Sequence, residues 1–298
     1  MSETLRPPTP AEAKKRLPLR PWLMSAPGII LFSLMLIVPL AMTLLLAFNV
    51  NDPDLGARPG TWTLDNFIEI VVDPWFYGIF WRTLWICLVV TVICVLIGVP
   101  QALILNRMRA PWRSIMLVVV LAPLLVSVVV RSFGWSLLLG DSGLVNKLLI
   151  ALGIGGLHMM YTETAIVIAL VHVMLPFMII PVWTTLQKID PSVSNAALSL
   201  NASRLTMLRR ILLPQLTPGI LSGCLIVFGL SASSFVIPGI LGGRSLKVVA
   251  TLVYDQYLSE LNWPLGAAIA VILLIANLAI MFTYNRLLEQ RYKKKLED

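Results

Sequence analysis

An α-helix rises 1.5 Å per residue, so about 20 consecutive apolar residues are needed to cross the roughly 30 Å hydrocarbon layer of a bilayer. This chain of 298 residues meets that requirement repeatedly, over 23–48, 81–105, 115–139, 164–187, 214–237 and 264–287. In hydrocarbon every backbone N–H and C=O must find its partner within the protein, which leaves helices and closed barrels as spanning structures. Runs of this length therefore predict an all-α polytopic membrane protein with six transmembrane helices. The composition agrees: 58% of residues are hydrophobic, 13% are charged and the mean hydropathy is +0.86, more apolar surface than a water-soluble fold can bury. Pro39, Pro123, Pro176 and Pro181 fall inside these runs and predict kinks, tolerated where neighbours re-satisfy the freed carbonyls.

The placement of charge predicts orientation. Most of the 23 lysines and arginines lie in four segments: the N-tail (Arg6, Lys14, Lys15, Arg16, Arg20), the second-to-third connection (Arg107, Arg109, Arg113), the fourth-to-fifth connection (Lys188, Arg204, Arg209, Arg210) and the C-tail (Arg286, Arg291, Lys293, Lys294, Lys295). By the positive-inside rule these segments, and both termini, are cytoplasmic. The opposite connections carry Asp52, Asp54, Asp65, Glu69, Asp73, Asp141, Glu163, Asp255 and Glu260. The net charge of +8 is thus a topological signal rather than a nucleic-acid footprint. The expected organisation is a cytoplasmic tail over 1–22, retained ahead of the first span, a membrane domain over 23–288 and a cytoplasmic tail over 289–298. Trp22, Trp81, Trp112, Trp135, Trp183 and Trp263 fall near predicted span ends, as interfacial belt residues do.

The connection between spans four and five, 190–213, is too patterned for a plain tether. Asp190 is suited to an N-cap and Pro191 to the first helical position, where its missing N–H was unpaired anyway. A short helix is expected from Pro191 to about Leu200, ended by Asn201, the residue that after glycine best adopts the left-handed C-terminal cap. Ser203 then caps a second helix with Leu205, Leu208, Ile211 and Leu212 on one side and Arg204, Arg209 and Arg210 elsewhere, before Pro214 marks entry into span five. Read from the pattern alone, such a helix, turn, helix either rests on anionic headgroups or docks a partner protein.

Resemblance favours docking. Asn195-Ala196-Ala197, then Asn201-Ala202-Ser203, then Leu213-Pro214 resemble the EAA motif of binding-protein-dependent ABC importer permeases, in which a coupling helix meets the ATPase. Asn201 stands in place of the usual glycine, and Asn195 in place of the usual glutamate, which removes a charge and shifts docking toward Arg204, Arg209 and shape. Further fragments, TLDNF (63–67), RTL (82–84), VRSFGW (130–135), GLVNKLL (143–149), LPF (175–177), LGG (241–243) and NWPLGAA (262–268), are similar to the first permease subunit of polyamine-type importers. The resemblance implies the type I (MetI-like) permease fold in a bacterial inner membrane. It also implies a homologous second permease, an ABC ATPase dimer that carries the ATP and Mg, and a periplasmic solute-binding protein.

A solute path needs polar groups away from lipid, where they are costly. The candidates are Ser231, Ser233 and Ser234 with Phe235 near the far end of span five, Arg131 and Trp135 in span three, and Asp255 and Glu260 at the membrane edge. Small hydroxyls equally suit close helix packing. No acidic residue falls in mid-span, which for a desolvated polyamine would be an obvious partner, so an opine, an amino-acid derivative or an aminophosphonate stays open as the solute.

Other classes fit less well. The chain has no Gly-x4-Gly-Lys-Ser/Thr phosphate loop, so energy must come from a partner, and no cofactor is expected on this chain. A secondary transporter usually places a carboxylate or a broken helix at its midplane and often shows repeated halves, and neither is expected here. With two histidines, no His-Glu-x-x-His and three cysteines (Cys87, Cys94, Cys224) inside apolar runs, neither a membrane enzyme nor a metal site is indicated.

Overall fold

The computed structural model describes residues 19–54, 56–190, 192–193, 199, 201–243 and 245–297, with side-chain surroundings from Met24 to Tyr284 within those ranges and at Arg286. Asn195, Ala196 and Ala197, and most of the helix expected over 191–200, lie outside the described residues, as do the first 18 residues of the N-tail. Among the described residues, six stretches are long and apolar enough to cross a membrane. Five of them are unbroken helices: α1 (Leu19–Leu46), α3 (Pro74–Arg107), α7 (Glu163–Leu186), α8 (Arg204–Ser233) and α11 (Trp263–Glu297). The sixth, Val128–Ala151, is made of two shorter helices, α5 (Val128–Leu139) and α6 (Leu144–Ala151), preceded by the apolar α4 (Trp112–Leu125), while α2 (Asp65–Val72), α9 (Val236–Leu241) and α10 (Val249–Leu258) lie in other connections.

The third span departs from expectation. In place of one helix over 115–139, α4 ends at Leu125, Val126 and Ser127 take extended backbone, and α5 begins at Val128. Pro123 lacks the N–H that would continue the ladder, and the break frees carbonyls in the last turn of α4. Arg131 satisfies two of them, donating from Nη2 to the Pro123 and Val126 oxygens. The long cation is thus turned inward onto backbone rather than snorkelling to a surface.

The entry to span five also differs. The short helix begun by Ser203 does not stop at Pro214 but runs on as α8, through a π-helical turn at Leu208–Leu212 in which Leu213 N–H donates to the Leu208 oxygen. The wider turn relieves the clash that a proline ring makes with the carbonyl four residues back.

The core lies where α3, α7 and α8 meet. Glycines set the spacing there. A Cβ on Gly98 or Gly223 would fall 2.8 or 2.7 Å from the Met178 side chain, and one on Gly219 would fall 2.7 Å from the Pro181 oxygen. Without a hydrophobic driving force between helices in lipid, close approach of backbones at small residues is what holds such an interface. Cys94, Leu170, Met178 and Leu216 are buried in it. A second cluster, with Phe76, Ile79, Val249, Leu252, Ala268 and Ile269, packs the start of α3 against α10 and α11. The helix α1 leans chiefly on α11.

Candidate functional site

The two ends of α8 carry the two groups of residues singled out from sequence. At its beginning, Asn201 has φ +59°, the left-handed conformation that turns the chain toward α8. The Ser203 hydroxyl accepts from Thr206 N–H at 3.2 Å and caps the start of α8. Upstream, the Asp190 carboxylate accepts from Ser192 N–H at 2.8 Å and its carbonyl from Val193 N–H. That hydrogen bonding to Ser192 holds the Asp190 carboxyl below its ordinary value. Arg204, Arg209, Arg210 and Pro214 are exposed and Ala202 is half-buried, while Met207 and Leu212 point into the bundle. The result is a basic face at one end of the helix, seated on apolar anchors.

At the other end α8 stops at Ser233. Ser234 takes extended backbone, and α9 and α10 follow with a loop between them. A cleft of about 850 Å³ opens here, lined by Val129 of α5, Phe235, Lys247, Thr251, Tyr254, Asp255 and Glu260, with further residues of α9. The Phe235 and Tyr254 rings stack at 5.3 Å and 16°. Lys247 Nζ lies 3.0 Å from Asp255 Oδ2, and Gln256 Nε2 donates to Glu260 Oε2 at 2.8 Å.

Of the eight path candidates, Phe235, Asp255 and Glu260 line this cleft. Ser231 is buried, with no hydrogen-bond partner at Oγ among the described residues, and Ser233 bonds back to the Gly229 and Leu230 carbonyls of its own helix. Arg131 caps the broken span. Trp135 donates from its indole N–H to His172 Nδ1 at 3.2 Å and ties α5 to α7. Trp263 sits against the 50–60 loop, where a Cβ on Gly56 would fall 2.8 Å from its ring.

Lys247 and Tyr254 were not singled out from sequence. The signal lies in their register: Tyr254 precedes Asp255 on α10, and Lys247 stands on the loop that enters that helix. The loop is firmly seated. Arg82 of α3 pairs with Glu163 of α7 at 3.3 Å and donates from Nη1 to the Lys247 carbonyl at 3.1 Å, and Thr83 Oγ1 accepts from Val249 N–H at 2.9 Å. Two carboxylates, an aromatic pair and one ammonium can hold organic cations. Among the described residues no group of His, Cys, Asp and Glu could hold a metal ion.

The profile of the family described as "binding-protein-dependent transport system inner membrane component" matches residues 94–294. The chain is 31% identical to the spermidine/putrescine transport system permease protein PotB of Haemophilus influenzae over 226 residues, covering 75% of this chain and 79% of that one. It is 30% identical to PotB of Escherichia coli over 226 residues, covering 75% and 82%. The sulfate transport system permease protein CysT of Salmonella typhimurium is 26% identical over 233 residues, covering 78% and 83%. In fold, it is similar to a chain of a bacterial ABC transporter that imports alginate, with a TM-score of 0.67 at 19% identity over 91% of this chain and 96% of that one. It is likewise similar to a chain of the MetNI methionine ABC transporter in an inward-facing conformation, with a TM-score of 0.56 at 18% identity over 74% and 99%. The fold is that of a type I ABC importer permease, and the chain is a multi-pass inner-membrane transport component. It belongs to the binding-protein-dependent transport system inner membrane component family, as the transmembrane permease subunit of an ABC importer.

Proposed function

We propose that this permease subunit passes a polyamine or a closely related amine from periplasm to cytoplasm, taking it in through the cleft beside α9 and α10. The observation that carries the reading is that an extended likeness to two spermidine/putrescine permeases coincides with a cleft bearing Asp255, Glu260 and the stacked Phe235–Tyr254 pair. Carboxylates supply the charge complement of ammonium groups, and aromatic faces accept them as their water is removed. Orientation follows the basic segments: both termini and the 190–213 connection face the cytoplasm, and the cleft faces the periplasm.

ATP is hydrolysed, on this reading, by a separate ATPase dimer that grips the coupling segment through Asn195, Ala196, Ala197, Asn201 and Ala202, with Arg204 and Arg209 on the exposed face and Pro214 at the root. A homologous second permease completes the pore, and a periplasmic binding protein delivers the solute. ATP drives the cycle by favouring one arrangement of the pore through differential contacts with the ATPase. The test is ATP-driven uptake of labelled putrescine and spermidine by the whole complex in proteoliposomes. Uptake that survives an uncoupler is expected. Uptake that collapses with the ion gradient while ATP lasts overturns the energy source, and no uptake of either amine overturns the solute class.

A further inference from the structure

The cleft already contains a primary ammonium group. Lys247 Nζ sits 3.0 Å from Asp255 Oδ2, and both side chains are only partly exposed, at 27% and 30%. The lysine's backbone cannot follow its side chain: its carbonyl is held by Arg82, the next residue's N–H by Thr251 Oγ1 at 2.9 Å, and the one after by Thr83 Oγ1 at 2.9 Å. What can move is the four-carbon stem and its point charge. A second seat is at hand. The Trp75 ring centroid is 6.0 Å from Nζ, across a hollow of about 340 Å³ shared with Gly78, Arg82 and Ser245, where Glu163 already neutralises the guanidinium of Arg82.

We infer that Lys247 is a resident counter-ion that occupies Asp255 in the absence of solute and must be displaced toward Trp75 by an incoming ammonium group. The inference rests on the amine reading of the cleft. With Lys247 seated, one carboxylate of the cleft is neutralised by an ion pair while Glu260 is held by the neutral amide of Gln256. With Lys247 swung away, two carboxylates face the space, which matches the two charges of a diamine. A solute without a positive charge has nothing to put in the lysine's place, so the exchange selects for amines. It also lowers apparent affinity, because only the fraction of molecules with Asp255 free is competent to bind.

Uptake kinetics of the assembled transporter in proteoliposomes, with putrescine as the probe, test this. Lys247→Met should lower the half-saturating putrescine concentration about threefold to fivefold, the size of effect a part-exposed ion pair supplies. Lys247→Arg, which keeps the charge on Asp255, should not lower it. Asp255→Asn should raise the half-saturating concentration and abolish the gain from Lys247→Met when the two are combined. If Lys247→Met fails to assemble, Lys247→Gln, which keeps a donor to Asp255 without the charge, should shift the value in the same direction. A half-saturating concentration that is unchanged or raised in the uncharged variants overturns the counter-ion role. A parent complex that takes up no amine overturns the amine reading itself, and the role of Lys247 falls with it.

Discussion

The helices α1 and α7 are alike as sequences: each is apolar throughout, long enough to span and interrupted by two prolines, Pro27 and Pro39 in one and Pro176 and Pro181 in the other. Their surroundings are opposite. Of the most apolar stretch of α7, 56% is buried within the chain, and of that of α1, none. Hydropathy measures compatibility with a solvent, and lipid and protein interior are alike in that respect. What separates the two is the size of the side chains facing them. The neighbours of α7 present Gly98, Gly219 and Gly223 to its Met178 and Pro181, whereas Gly28 of α1 has no atom within 4 Å of where its Cβ would stand. The face of α7 is completed by this chain, and that of α1 is left to lipid or to another subunit.

Glycine replacements give the largest expected effect and the sharpest test of that contrast. In Gly219→Leu the new Cβ would lie 2.5 Å from Thr185 Oγ1 and 2.7 Å from the Pro181 oxygen, and a backbone carbonyl in the middle of a packed helix cannot yield. Overpacking of this kind costs about 1–3 kcal/mol and sometimes more, so the variant should lose several degrees of thermal stability in detergent or fail to assemble. Gly28→Leu should leave the stability of the isolated subunit unchanged. Equal damage from both in the isolated subunit would mean that α1 is packed within this chain as tightly as α7.

Much of the fold is legible in the sequence, and the part that is not has a physical reason. The short fragments that suggest the family are packing and capping nodes. Asn66 of TLDNF donates to the Ala47 and Asn49 carbonyls, Asn146 of GLVNKLL bridges Gly140 and Leu157, Asn262 of NWPLGAA accepts from Leu265 N–H at the start of α11, and Arg82 and Thr83 of RTL hold the loop before α10. Span positions are legible because the bilayer imposes a length. The break in the third span is not, since an apolar run reads alike whether one helix or two pass through it, and Pro123 alone announces a kink rather than an end. The serines at 231–234 do not line the cleft because α8 stops at Ser233, a point periodicity does not locate, and the cleft is built largely from residues beyond that stop. Lys247 and Asp255, eight residues apart across a loop-to-helix junction, meet only once the loop is pinned by α3.

A smaller effect is expected where α7 hands over to α8. Asn201 holds φ +59°, which costs an ordinary side chain about 1–2 kcal/mol and a β-branched one more, while glycine adopts it freely. Asn201→Gly should therefore retain uptake and Asn201→Val should lose most of it, with ATP hydrolysis by the complex continuing but no longer matched to transport. The residue is exposed, so the loss should come from a misdirected turn rather than from unfolding of the bundle. Equal uptake in the two variants would show that the turn tolerates another path and that the coupling segment is not set by this conformation.

The smallest effect separates contact from hydrogen bond on α7 itself. Trp135→Phe removes the indole N–H that donates to His172 Nδ1 but keeps an aromatic ring where the two rings now meet edge to face, 5.6 Å apart. Interhelical hydrogen bonds within membranes are worth about 0.6 kcal/mol on average, because the polar group finds other partners when one is lost. A double-mutant cycle with His172→Phe should return a coupling of that order, read as the difference in unfolding free energy in detergent. The burial of α7 predicts that the helix keeps its place in all three variants, since Met178, Ile179 and Val182 are held from other sides. A coupling several times larger would mean that this hydrogen bond, and not the glycine-spaced interface with α3 and α8, fixes α7 in the bundle.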